Sequence, residues 1–136
     1  MPRKPRALVF DSWAVLAYLG DEASGQEVAD LIANAQEDRI PLYMSSVNAG
    51  EVWYIIAREA SEAEADRALA DVTRLGIELI HADWPLARIA ATFKAHHAMS
   101  YADCFAAALA KDRKSDLVTG DKEFKQIEAE ISIRWL

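Results

Sequence analysis

Ala7-Leu8-Val9-Phe10-Asp11-Ser12 opens this chain with an unbroken apolar run that stops at a carboxylate. Four apolar residues without polar alternation read as a strand buried on both faces, which is the habit of parallel sheets. Asp11 then stands at the carboxyl end of that strand. The same pattern returns at Leu117-Val118-Thr119-Gly120-Asp121. In open α/β sheets that edge is where ligands bind. Both acids also have ordinary structural explanations. Asp11 could cap a helix over Trp13–Leu19, and Gly120-Asp121 could turn the chain into a short helical segment at Lys122-Glu123-Phe124.

Working outward, further short apolar runs at Leu42–Met44, Ile77–Ile80 and Ile131–Trp135 join Ala7–Phe10 and Leu117–Thr119 as strand candidates. Helical spacing fills the intervals, with Val28, Leu31 and Ile32 on one face, Val52, Ile55 and Ile56 on another, and Ala65, Ala68, Leu69 and Val72 on a third. Ser61 and Glu64 read as a capping-box start, and Gly76 as the stop of the helix between them. Strands separated by crossover-length helices predict a single α/β domain over residues 1–136. Its mostly parallel central sheet of about five strands would be flanked by helices on both faces.

The chain has 136 residues, 52% of them hydrophobic, enough for one domain with a sizeable core. Lys plus Arg number 15 against 22 Asp plus Glu, a net charge of −7, so the chain as a whole has no attraction for phosphate backbones. Nucleic-acid binding would need a local basic patch or bound metal ions. The single cysteine, Cys104, excludes an internal disulfide and fits a reducing cytoplasm. The apolar run ending at Asp11 is too short for a signal-peptide core, and no stretch approaches the roughly 20 apolar residues of a membrane span.

Two more acids stand out. Asp103 lies in Ser100-Tyr101-Ala102-Asp103, which resembles a capping box ahead of the apolar Phe105–Leu109. Glu51 has Val47, Tyr54 and Ile55 three and four positions away, which puts a carboxylate on an apolar helix face. An isolated charge there is costly to desolvate unless a cation meets it. Four such acids converging would make a divalent metal site. With Cys104, next to Asp103, reading as a core hydrophobe and no His beside any of the four, the all-carboxylate set favours hard ions, Mg²⁺ first and Mn²⁺ second.

Val9-Phe10-Asp11-Ser12 leading into Ala14-Val15-Leu16-Ala17, Ser46 with Glu51, Ser100-Tyr101-Ala102-Asp103, and Thr119-Gly120-Asp121-Lys122-Glu123-Phe124 together resemble the PIN-domain ribonucleases. The VapC-like toxins of bacterial and archaeal toxin–antitoxin pairs are the nearest members of that family. The resemblance runs over essentially the whole chain. It implies that Asp11, Glu51, Asp103 and Asp121 are the metal-binding catalytic acids, with Thr119 and Ser12 as hydroxyl support. It also implies that the first and fourth strands are neighbours, bringing Asp11 and Asp121 together. Trp13 is bulkier than the small residue this family pattern leads one to expect after Asp-Ser.

The activity so implied is Mg²⁺-dependent endoribonuclease cleavage, with Mn²⁺ as substitute, by the toxin half of a toxin–antitoxin pair. Its partners would be an RNA substrate, a cognate antitoxin protein that blocks the site with a basic side chain, and a second copy in a homodimer. The apolar excess at Val52, Trp53, Ile55, Ile56, Trp13 and Tyr18 points to covered surface. Lys122 and Lys125 beside Asp121 are candidate RNA-binding cations, with Arg3, Lys4 and Arg6 or Lys111, Arg113 and Lys114 further off. His81, His96 and His97 lack the spacings of a zinc site and suit a surface. Cys104 reads as a core hydrophobe. Burial is the expectation for most of Trp13, Trp53, Trp84 and Trp135. The competing class is another Mg²⁺-dependent α/β domain, either a phosphoryl-transfer enzyme with an aspartyl nucleophile or a phospho-acceptor. Against the former, Asp11-Ser12-Trp13 stands where a dehalogenase-type phosphatase has Asp-x-Asp.

Overall fold

The computed structural model describes residues 4–20 and 22–136, so Arg3 lies outside the described residues. The chain runs β1 (Leu8–Phe10), α1 (Ser12–Leu19), α2 (Ala23–Glu37), β2 (Leu42–Ser45), α3 (Ser46–Glu59), α4 (Glu62–Arg74), β3 (Ile77–Ile80), α5 (Trp84–His96), α6 (Tyr101–Arg113), β4 (Asp116–Thr119), a 3-10 helix (Lys122–Ile127) and β5 (Ser132–Trp135). One sheet has the order β3-β2-β1-β4-β5. All its pairings are parallel.

Every strand expected from an apolar run is present, Ile77–Ile80 unchanged and each of the others shifted by one residue at one end. Alternation explains why β1 is apolar throughout: Leu8 and Phe10 enter one core with Val28, Ile32, Met44 and Val118, while Val9 enters the other with Phe93, Leu109 and Leu117. Residues of period two therefore supply both faces of the sheet. The alanines Ala106, Ala107, Ala108 and Ala110 of α6 are all buried and let that helix lie close over the sheet. Leu136, the last residue, donates its N–H to the Thr119 carbonyl at 2.9 Å, fixing the end of the chain beside β4.

Local rules account for the helix ends. Ser61 caps α4 by accepting the Glu64 N–H at 3.1 Å, whereas the Glu64 side chain turns to Arg67 instead of completing a capping box. Gly76 adopts φ +88° just beyond α4, a left-handed position that favours glycine. Trp84 departs from the expectation of burial, being 71% exposed at the start of α5, while Trp13, Trp53 and Trp135 are half-buried.

The strand order places the site. From β1 the chain crosses to β2 and β3 on one side, then returns to β4 on the other, so the order reverses between β1 and β4. The crevice beyond the carboxyl ends of the strands at such a reversal is the habitual ligand site of open α/β sheets. Asp11 and Asp121 flank it.

Candidate metal centre

Asp11 follows β1 and caps α1, its Oδ1 accepting the Ala14 N–H at 2.8 Å. Its Oδ2 accepts the Thr119 hydroxyl at 2.5 Å. Thr119 Oγ1 in turn accepts the Asp121 N–H at 3.0 Å, so one hydroxyl ties the first acid to the backbone of the last. Parallel pairing of β1 with β4 sets up this bridge. Asp11 is 1% exposed, and burial is the main reason its carboxyl is raised to about 7. The Thr119 and Ala14 hydrogen bonds pull it down, and the charges of Asp103 and Asp121 push it up again.

The carboxylates that converge are Asp103, Asp121 and Glu123, each offering an oxygen within 4.8 Å of the others. Asp103 sits in the first turn of α6, where Ser100 Oγ accepts its N–H at 3.1 Å. The cap expected from the sequence therefore exists in the backbone of Asp103, while its carboxyl serves the cluster. That carboxyl is also raised to about 7, by burial first, then by the Asp121 charge; Ser100 opposes, and a hydrogen bond with Glu123 and the Glu51 charge reinforce. Asp121 caps the 3-10 helix by accepting the Glu123 N–H at 2.9 Å.

Glu123 was not among the acids singled out in the sequence. An acid in the first turn of a short helix is expected from the helix dipole alone, which hides any other role. Glu51 is placed differently from expectation: the buried residues of α3 are Asn48, Ala49 and Val52, and Glu51 is half-buried at the margin of that face. It reaches the cluster through its charge on Asp103. Ser12 does not face the acids. Its hydroxyl donates to the Asn48 carbonyl at 3.2 Å and accepts from Asn48 Nδ2 at 3.3 Å. Asn48 too escaped the sequence reading, although its i,i+4 spacing to Val52 marks it as facing the core.

Trp13 packs against the turn that carries Asp121. A Cβ on Gly120 would lie 2.4 Å from the Trp13 ring, so that position is held open for the indole. Lys122 and Lys125 are exposed beside Asp121. Other expected cations are engaged elsewhere: Lys4 pairs with Asp38 at 3.4 Å, Arg113 lies over the Tyr43 ring at 4.6 Å and Lys111 over the Phe93 ring at 5.6 Å. His81 and His96 are exposed, and His97 pairs with Glu130 at 3.0 Å, away from the cluster.

The donor set fits a hard divalent cation, since it consists of carboxylate oxygens alone and their mutual repulsion disfavours the fully ionised cluster unless a cation joins it. An aspartyl nucleophile fits less well: both Asp11 oxygens are engaged, and the side chain is closed to solvent. No helix among the described residues is long and apolar enough to cross a membrane.

A family model described as PIN domain matches residues 8–130. No curated protein matches the sequence. Among solved structures, VapBC2 from Rickettsia felis bound to a DNA fragment from its promoter aligns with TM-score 0.73 at 18% identity, over 96% of this chain and 98% of that one. VapBC-1 from nontypeable Haemophilus influenzae aligns with TM-score 0.71 at 13% identity, over 95% and 97%. VapC20 from Mycobacterium tuberculosis, a sarcin–ricin loop cleaving toxin, aligns with TM-score 0.67 at 19% identity, over 92% and 96%.

Proposed function

The chain belongs to the PIN domain family, and from that membership we propose that it is a metal-dependent endoribonuclease, the toxin of a toxin–antitoxin pair. The observation that carries this reading is the convergence of Asp103, Asp121 and Glu123 at the point where the strand order reverses. These three would hold Mg²⁺, or Mn²⁺ in its place. Such an ion, when bound, supplies Lewis-acid activation of water and neutralises charge on a phosphodiester.

The remaining roles belong to the chain's own residues. Asp11, closed to solvent, fixes the Asp121 backbone through Thr119 and adds its charge beside Asp103 and Asp121. Glu51 adds negative charge beside Asp103, strengthening the pull on a cation. Lys122 and Lys125 stand exposed next to the cluster, where they can meet phosphates that a chain of net charge −7 would otherwise repel.

A partner protein is favoured by a groove between α1, α3 and α4. Leu16, Leu19, Ile55, Ile56 and Ala68 form its apolar part, and Glu22, Glu59, Glu64 and Asp71 its acidic rim, with Arg67 the one cation among the described residues. An antitoxin segment with an apolar stripe flanked by basic residues complements that surface. Exposed Tyr54, Trp84 and Tyr101 offer further area, and a homodimer is part of the same proposal.

The test is cleavage of total RNA by the purified protein in Mg²⁺ or Mn²⁺, after chelation with EDTA, and after metal is restored. Cleavage should stop with chelation and return with metal. Activity that persists in excess EDTA would refute the metal-dependent mechanism.

A further inference from the structure

Among the described residues, one buried side-chain polar atom lacks a hydrogen-bond partner, the Oδ1 of Asn48. Asn48 is completely buried. Its Nδ2 donates to the Ala102 carbonyl at 3.0 Å and to Ser12 Oγ at 3.3 Å, and the backbone carbonyl of Asn48 accepts the Ser12 hydroxyl at 3.2 Å. The amide orientation is determined, since a backbone carbonyl only accepts and the nitrogen must face Ala102.

Every partner of this side chain lies one residue from an acid. Ser12 follows Asp11, Ala102 precedes Asp103, and Asn48 itself stands one helical turn before Glu51. Resting on the nuclease reading, we propose that Asn48 is a positioning residue that locks the starts of α1, α3 and α6 together and thereby sets the mutual placement of Asp11, Glu51 and Asp103.

Packing alone would not demand an amide here. A leucine of similar size would fill the space without burying an unpartnered oxygen, but its contacts are non-directional and leave the helices free to shift along one another. Hydrogen bonds fix both distance and direction. The need is physical: acids whose charges repel push apart the helix starts that carry them, while a metal or reacting group tolerates only about 0.5 Å of displacement. The free Oδ1 follows from this role, because the side chain is held by its donors and the leftover acceptor is sealed in.

The test uses the full chain with Asn48→Leu and, separately, Ser12→Ala. Four quantities are measured: Mn²⁺ affinity by calorimetry, kcat and KM for RNA cleavage, and the thermal melt in EDTA. Asn48→Leu should weaken Mn²⁺ at least about tenfold and lower kcat roughly a hundredfold with KM little changed, as outer-shell losses do. Ser12→Ala, which spares the Ala102 bond, should show a smaller loss of the same kind. Folded variants with wild-type Mn²⁺ affinity and kcat would overturn the proposal, as would a loss confined to KM. Should Asn48→Leu fail to fold, Ser12→Ala decides alone, an unchanged affinity and kcat overturning the idea. Wild-type protein that neither binds Mn²⁺ nor cleaves RNA would overturn the nuclease reading and this one with it. Unaltered variants beside an active wild type overturn this one only.

Discussion

Replacing Asp11 by Asn should change stability by an amount that depends on pH, in a direction the burial of this carboxyl determines. Asp11 ionises from about 3.8 in the unfolded chain but only at about 7 in the folded protein. For an acid with a raised folded pKa, stability is present at low pH and is lost as pH climbs between those two values. Each pH unit in that window costs the folded state about 1.4 kcal/mol, so wild type should lose about 4 kcal/mol in all, nearly 3 of it between pH 5 and pH 8. The substituted amide would not titrate. It could still accept the Ala14 N–H, but it would turn an NH₂ toward Thr119, leaving the Thr119 hydroxyl without the carboxylate oxygen to which it donates. Losing that hydrogen bond costs about 1–2 kcal/mol at any pH. The substitution should therefore be nearly neutral near pH 5 and stabilising by about 2–3 kcal/mol near pH 8. Urea unfolding of the metal-free proteins in EDTA at both pH values reads the difference. Equal effects at the two values would show that Asp11 titrates as an ordinary exposed acid and would refute the reasoning.

Three other outcomes are expected. Glu123→Gln should weaken Mn²⁺ binding at least about tenfold in calorimetry while leaving the fold intact, because the side chain is exposed and its loss removes a charge from the cluster. Gly120→Ala should cost about 1–3 kcal/mol by forcing its new methyl into Trp13, and a Trp13→Ala background should abolish most of that penalty in a double-mutant cycle of chemical unfolding. Ile55→Glu should release the co-expressed antitoxin in a pull-down while sparing RNA cleavage by the free protein, since the groove it lines is separate from the acid cluster.

The sequence by itself determined the sheet. Short apolar runs separated by crossover-length helical stretches read as strands of a parallel sheet, so Leu8–Phe10 and Asp116–Thr119 were legible as β1 and β4 to within one residue. Asp11 and Asp121 were legible for the same reason, as carboxylates ending those strands. Tertiary structure alone decided which acids meet. Strand order put β4 beside β1 and let Thr119 bridge Asp11 to Asp121, a link across 108 residues that no local pattern encodes. The approach of α6 brought Asp103 to Asp121 and Glu123, while Glu51 came to the edge of the cluster and Asn48 into the hub between three helices. Periodicity reports which face of an element is buried, because the local backbone geometry decides which residues share a face. Convergence of charges depends on distances between elements, and those are set by packing that the one-dimensional pattern does not contain.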